Sequence, residues 1–125
     1  MASGAATGLR LYGVIDDELV EQDFLANQKL LLVLCNDLAA VVAPAAYVAA
    51  EPTDDDLADY VRVLDALSEK GPVVPAPPGT VFASEDVVSR WLDVHYGKLH
   101  EALAAIDRRE DGRPPYEYVR MELRH

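Results

Sequence analysis

Residues 29–43 read Lys-Leu-Leu-Leu-Val-Leu-Cys-Asn-Asp-Leu-Ala-Ala-Val-Val-Ala and carry the strongest structural signal in the chain. Lys29 to Cys35 is a dense apolar run, which is typical of a buried central strand. Asn36-Asp37 favours a turn, because both residue types tolerate turn conformations. A second apolar stretch, Leu38 to Ala43, then ends at Pro44. Two strands joined by so short a turn predict an antiparallel hairpin.

Residues 9–15, upstream of this hairpin, alternate in polarity and predict a half-buried strand. Leu9, Leu11 and Ile15 would face one way, and Arg10, Tyr12 and Val14 the other. Gly13 marks a position where another backbone can approach closely. The acidic stretch 16–23 that follows is compatible with a short helix or with a loop.

Two helices are predicted downstream. The first begins after Thr53, whose hydroxyl can cap it, and ends at Gly71-Pro72. The second begins after Ser84 and runs over about residues 85–108. Apolar residues at helical spacing predict the buried faces. They are Leu57, Tyr60, Val61, Leu64 and Leu67 on the first helix, and Val88, Trp91, Leu92, His95, Leu99, Ala102, Leu103 and Ile106 on the second.

Residues 72–79 hold four of the eight prolines, which excludes a helix and a central strand there. We predict an ordered extended loop or a stiff linker there, with a short extended piece at residues 80–82. A final strand is predicted over residues 116–124. Its inward residues would be Val119, Met121 and Leu123, and its outward residues Tyr116, Tyr118, Arg120, Glu122 and Arg124.

These elements predict an α+β fold with short connections. We expect a ferredoxin-like variant, with a mainly antiparallel four-stranded sheet and two helices packed on one face. Residues 1–8 are predicted to be a flexible N-terminal tail. Residues 9–125 then form a single domain, as the length of 125 residues suggests.

The charge balance restricts the partners. Eleven Lys and Arg residues against 22 Asp and Glu residues give a net charge of −11. Such an excess repels phosphate backbones and anionic lipids, so we expect neither nucleic acid nor a membrane as partner. The longest apolar run is too short for a membrane span, and the first eight residues do not resemble a secretory signal. A cytoplasmic location is expected by elimination.

No catalytic, cofactor-binding or metal-binding residues are predicted. His95 and His100 are five residues apart, about 140° around a helix, and cannot easily share an ion. Cys35 is the sole cysteine and lies in an apolar run, where thiols are usually inert. The glycines form no phosphate-binding loop. We therefore expect a protein that is not an enzyme.

Several segments, in order, resemble the N-terminal domain of the gas vesicle protein F/L family. Leu-Tyr-Gly-Val-Ile (11–15) is similar to its first strand, and Asp-Leu-Ala-Ala-Val-Val (37–42) to its second hairpin strand. The helix at 62–67 leads to Gly-Pro-Val-Val-Pro (71–75) and Gly-Thr-Val-Phe (79–82). Ala76-Pro77-Pro78 stands where the family typically carries Met-Arg-Phe, and the chain ends where full members carry a second domain.

The resemblance implies a gas vesicle accessory or minor structural protein in the cytoplasm. It would take part in assembly by contacting the shell protein and other assembly factors. The predicted protein-binding residues are Pro75, Ala76, Pro77, Pro78, Gly79, Tyr116, Tyr118 and Arg120. A homodimer through an outer strand is also expected as an option, because outer strands can pair with a neighbour.

Two other functions stay open on the sequence. A truncated copy lacking Met-Arg-Phe could be a regulatory or scaffolding module outside gas vesicles. Alternatively, His95, Tyr96 or Trp91 could line a small-molecule site between helix and sheet.

Overall fold

One sheet and four helices build the chain in the computed structural model, which describes residues 7–46 and 52–107. In chain order the elements are β1 (Thr7–Asp16), α1 (Gln22–Gln28), β2 (Leu31–Cys35), β3 (Leu38–Ala46), α2 (Asp54–Lys70), β4 (Val74–Pro75), β5 (Val81–Phe82), α3 (Glu85–Val94) and α4 (Tyr96–Asp107). Strand β1 begins at Thr7, so Thr7 and Gly8, which we predicted in the tail, belong to the sheet.

The sheet has the order β2-β3-β1-β4, and β5 also pairs with β1. All of these pairings are antiparallel. The hairpin predicted from residues 29–43 is confirmed, with Cys35 opposite Leu38 and Asn36 in the left-handed region at φ 54°. The prediction that its first strand is a buried central strand is wrong, because β2 lies at an edge of the sheet. Strand β3 lies between β1 and β2, as a split βαβ unit requires. The α+β, ferredoxin-like prediction therefore agrees with the structure.

Helices cover both faces of the sheet. Helices α1 and α2 share one face, and α3 and α4 lie on the other. Our expectation that the predicted helices at 53–70 and 85–108 cover the same face is therefore wrong. The reason lies in β3, where Ala39 and Val41 belong to one buried cluster and Leu38, Ala40 and Val42 to the other. A strand that is apolar at every position is buried on both sides.

The helix boundaries follow their capping residues. The Thr53 hydroxyl accepts from the N–H of Asp56, and the Asp56 carboxylate accepts from the N–H of Thr53. The Ser84 hydroxyl likewise accepts from the N–H of Val87. The continuous helix predicted at 85–108 is wrong, because α3 ends at Val94. Gly97 has a low helix propensity, so the helix is weakest near this junction.

The fourth strand position is filled by the short strands β4 and β5 at the edge beside β1. Strand β4 lies within the proline-rich segment that we predicted to be extended. Strand β5 confirms the short extended piece predicted at residues 80–82. Pro75 is tolerated because an edge strand leaves one row of backbone groups unpaired. The strand predicted at 116–124 lies outside the described residues.

Close packing at Gly13 holds this edge against β1. An added Cβ there would lie 2.8 Å from the carbonyl oxygen of Val74 and 2.9 Å from Cγ2 of Val73. The β1–β3 register also shifts between Leu11 and Gly13. The close backbone approach predicted at Gly13 is thus confirmed.

Candidate protein-binding surface

The proline-rich segment forms a loop that leaves the sheet and returns to it. We call residues 76–80 the proline loop. Before it, Val74 and Pro75 pair with Val14 and Gly13; after it, Val81 and Phe82 pair with Arg10 and Leu9. The N–H of Ala76 donates to the carbonyl of Tyr12, and the N–H of Leu11 donates to the carbonyl of Thr80, each at 2.9 Å. Both ends of the loop are therefore fixed to β1.

A tight turn forms the tip of the proline loop. The N–H and the hydroxyl of Thr80 both donate to the carbonyl of Pro77, at 3.2 and 2.6 Å. Pro78 and Gly79 occupy the two central positions, and Gly79 has φ 84°. Proline followed by glycine in these positions is the sequence preference of a type II turn. The residues that interrupt the edge strand thus also fix the loop in one shape.

Helix α2 supports the proline loop through Tyr60. Its hydroxyl donates to the carbonyl of Ala76, with 2.6 Å between the oxygens. Nearby, the Tyr12 hydroxyl of β1 donates to the carboxylate of Asp59. The Arg10 guanidinium pairs with Asp56 at 3.0 Å. These side chains join β1, α2 and the loop.

The charge states of this network suit a structural role. Burial raises the pKa of Tyr12, and its hydrogen bond to Asp59 raises it further. Burial also acts to raise the pKa of Asp59, but hydrogen bonds from Tyr12 and Arg62 outweigh it and the pKa is lowered. At neutral pH a protonated phenol therefore donates to an ionised carboxylate. The pair fixes the orientation of α2.

Exposed apolar side chains flank the proline loop on α2. Leu57 and Val61 are one helical turn apart and more than one-third exposed. Leu57 also lies one turn before Tyr60. The two exposed residues therefore lie next to the side of α2 from which Tyr60 reaches the proline loop. We had predicted both residues in the buried face, which is wrong.

Helix α3 provides a second exposed apolar stripe. Val87, Trp91 and Val94 recur at helical spacing, and Val94 is 71% exposed. The Trp91 ring lies against Phe82 of β5, with 5.7 Å between the ring centroids, so the middle of this stripe lies beside the proline-containing edge. Helix α3 then crosses the sheet and packs mainly against β2. We call Leu57, Val61, Pro77, Pro78, Val87, Trp91 and Val94 the edge surface.

An apolar cavity of about 220 Å³ lies under the proline loop, between the sheet and helices α3 and α4. Its lining includes Ala76, Pro77, Phe82, Trp91 and Leu99. Thr80 and the indole N–H of Trp91 are the polar side-chain groups of its lining, and the other lining side chains are apolar. Such a lining suits an apolar side chain better than a polar substrate, which needs convergent polar groups. Neither His95 nor Tyr96 is among the lining residues.

The structure divides the predicted binding residues. Pro75 and Ala76 are buried, whereas Pro77, Pro78 and Gly79 are exposed. Tyr116, Tyr118 and Arg120 lie outside the described residues. Sequence reasoning missed Val87 and Val94, although their spacing from Trp91 was a usable signal. His95, predicted on the buried face, is exposed and lies against Trp91.

Polar contacts from the N-terminal half of α4 fix the turn between β2 and β3. Tyr96 donates to the carboxylate of Asp37, and His100 lies 3.4 Å from the same carboxylate. These contacts lower the pKa of Asp37, the hydrogen bond from Tyr96 most of all. A recess of about 290 Å³ beside it is also lined by Asp16 and Asp107. Within residues 7–46 and 52–107, no cluster of His, Cys, Asp and Glu is suited to hold a metal ion.

No helix in the described part of the chain is long and apolar enough to cross a membrane.

Comparison with known proteins identifies the family. The family model described as gas vesicle synthesis protein GvpL/GvpF matches residues 8–112, which is most of the chain. No curated protein and no solved structure matches the chain. The match includes β1, the hairpin, α2, the proline loop and both C-terminal helices, and the chain therefore belongs to the GvpL/GvpF family of gas vesicle synthesis proteins.

Proposed function

We propose that this protein is a non-catalytic accessory or minor structural protein of gas vesicles, located with them in the cytoplasm. It takes part in vesicle assembly by binding the shell protein and other assembly factors. Family membership supports the assembly-related role. The single observation that carries the binding mode is the edge surface, which combines exposed apolar side chains of two helices with a loop whose two ends are fixed to the sheet.

The edge surface contrasts with the charge of the chain. The sequence has twice as many acidic as basic residues, yet Leu57 and Val61 on α2 and Val87 and Val94 on α3 are exposed. Grouped apolar side chains on a polar surface are typical of protein-binding sites. Four of the six large apolar residues that are exposed among the described residues belong to this surface.

The proline loop supplies a preformed contact. Its ends are bonded to β1, its tip is a proline–glycine turn, and Tyr60 holds its start. A loop that is already ordered loses little conformational entropy on binding. The cavity below it can receive an apolar anchor residue of the partner, as buried anchors contribute most of the affinity in many interfaces.

Affinity capture from extract of the native host tests this proposal. The wild-type chain is compared with a Val61→Lys and Val94→Lys double variant, which places a charge on the exposed apolar stripe of each helix. Ala26→Lys on α1 is the control, because Ala26 is also exposed and lies outside the edge surface. Mass spectrometry should identify shell and accessory gas vesicle proteins with wild type and control, and at least about tenfold less of them with the double variant.

Three results would contradict the proposal. Equal capture by the double variant would remove the edge surface as the binding site. Capture of regulatory or biosynthetic proteins alone would favour the alternative, a scaffolding module outside gas vesicles. Absence of shell-protein genes from the gene neighbourhood would point the same way.

A separate variant tests the predicted C-terminal contacts. Tyr116 and Tyr118 are changed together to alanine, since tyrosine is enriched at interfaces. Reduced capture is expected if they contact the partner. Unchanged capture would remove these residues and leave the edge surface as the contact.

A further inference from the structure

The second edge of the sheet differs from the proline-containing edge. Strand β2 pairs with β3 on one side, and no described strand pairs with its other side. Its residues Leu31 to Cys35 form a continuous strand without proline, whereas β4 and β5 have two residues each and are separated by the proline loop. Half of the backbone N–H and C=O groups of β2 point away from β3, so this edge can accept another strand.

The side chains of β2 are also incompletely covered. Leu31 is 53% exposed on the face of α3 and α4, and Leu34 is 58% exposed on the face of α1 and α2. Burying such residues is favourable, at about 25 cal/mol per Å² of apolar surface. A strand added beside β2 would lie next to both leucines, one on each face of the sheet.

Charges at the two ends of β2 point to the occupant. Residues 30–36 carry no charge, Lys29 lies two residues before β2, and Asp37 lies two residues after it. An antiparallel pair of two β2 strands centred on Val33 places Leu31 opposite Cys35 and Leu32 opposite Leu34. The same register brings Lys29 of each copy towards Asp37 of the other. The side chains of both residues are exposed enough for this contact.

We propose that a second copy of this chain binds at β2, so that two sheets join through antiparallel β2 strands centred on Val33. The contact is a twofold, self-complementary interface of the kind that most homodimers use. It buries Leu31 and Leu34 of both copies and forms two equivalent Lys29–Asp37 ion pairs. The proline loop lies at the opposite edge of each sheet and remains free for other partners.

The first test is the mass of the full chain in solution, measured by light scattering at micromolar concentration. We expect twice the chain mass of 13.7 kDa. Leu34→Lys should give a monomer, because it puts a charge at the centre of the paired edge. Val61→Lys, a similarly exposed apolar position on α2, is the matched control and should stay dimeric. Circular dichroism checks that both variants are folded.

Cysteine cross-linking tests the register. Leu31→Cys places a thiol opposite the native Cys35 of the second copy, and opposite residues of antiparallel strands are within disulfide range. Leu34→Cys is the control, because its thiol faces the other side of the sheet and lies opposite Leu32. With oxidised glutathione, L31C should form a dimer that dithiothreitol separates, and L34C should form far less.

Charge reversal tests the ends of the interface. Lys29→Glu and Asp37→Lys should each weaken the dimer about tenfold, since each replaces two attractions with two repulsions. The double variant should restore the affinity, because it reverses both charges. Asp37→Lys also removes the contacts of Asp37 with Tyr96 and His100. If their loss destabilises the fold of the single chain, the melting temperature of the variant will be lower.

Several results would overturn the proposal. They are a monomeric full chain at about 100 μM, a dimer that survives L34K, and equal cross-linking of L31C and L34C. A monomer whose β2 amides resist hydrogen exchange would show instead that another segment of the same chain covers this edge. None of these results bears on the capture experiment, so the two proposals fail independently.

Discussion

The Tyr60 hydroxyl donates a hydrogen bond to the main-chain carbonyl oxygen of Ala76, across 2.6 Å. Tyr60 lies on helix α2 and Ala76 begins the proline loop, so one bond joins the helix that carries Leu57 and Val61 to the loop that carries Pro77 and Pro78. The carbonyl is partly buried, and water cannot readily replace the donor. The stability of the loop therefore depends on a helix residue that is 16 positions away in sequence.

Tyr60→Phe should lower the free energy of unfolding by about 1–2 kcal/mol, because the Ala76 carbonyl loses its donor. Amide hydrogen exchange at residues 76–80 should become faster. Tyr96→Phe is the control, since the contact of Tyr96 with Asp37 is exposed and should contribute less to the free energy of unfolding. Urea unfolding gives the free energies. Equal losses in both variants would show that the loop bond has no special importance.

Ala76→Met should stabilise the fold by about 0.5–2 kcal/mol, because Ala76 lines the apolar cavity and methionine can fill it. Ala58→Met on the exposed side of α2 is the control and should be nearly neutral. A destabilised A76M variant would show that the cavity cannot accept an apolar side chain. The same result would weaken the proposed anchor site.

Gly13→Ala should destabilise the protein by about 1–3 kcal/mol, since the new methyl group would collide with Val74 and Val73. Gly97→Ala is the matched control, a second glycine-to-alanine change with the opposite expected effect on stability. Nothing lies within 4 Å of the Cβ position at Gly97, which lies in α4. Alanine there should stabilise the helix by about 0.5–1 kcal/mol. Thermal unfolding of both variants measures the difference. A tolerated G13A would contradict the close approach of β1 and β4.

Acid should weaken the contact between β1 and α2. The pKa of Asp59 is lower in the folded protein than its ordinary value, because hydrogen bonds from Tyr12 and Arg62 outweigh burial. The stabilisation is therefore complete above about pH 4 and is lost as the pH falls through the lower, folded-state pKa. Asp59→Asn should reduce the loss of unfolding free energy between about pH 4 and pH 2. An unchanged pH dependence would show that Asp59 is not preferentially ionised in the fold.

Local patterns in the sequence predicted much of the architecture. The apolar runs on either side of Asn36-Asp37 predicted the hairpin, and Thr53 and Ser84 marked two helix starts. Gly13 was identified as a close approach because a glycine inside an alternating strand has few other uses. Each of these features depends on neighbours in the chain.

Features that depend on distant contacts were missed. The all-apolar stretch 38–42 signals burial on both faces, but we treated it as one strand of a sheet with a single covered face. Leu57 and Val61 fit the helical pattern of a buried face, yet both are exposed, and the buried residues of α2 are Val63, Leu64 and Leu67. The pairing of β4 and β5 with β1 could not be predicted, because each strand has only two residues.

The role in vesicle assembly is tested most directly in the native host by electron microscopy of vesicles after deletion of this gene. The account predicts that deletion reduces or abolishes vesicles and that the wild-type gene restores them. The Val61→Lys and Val94→Lys double variant should fail to restore them, whereas Ala26→Lys should succeed. Vesicles of normal number and shape in the deletion strain would contradict the role in assembly. Full rescue by the double variant would contradict the edge surface as the site that carries it.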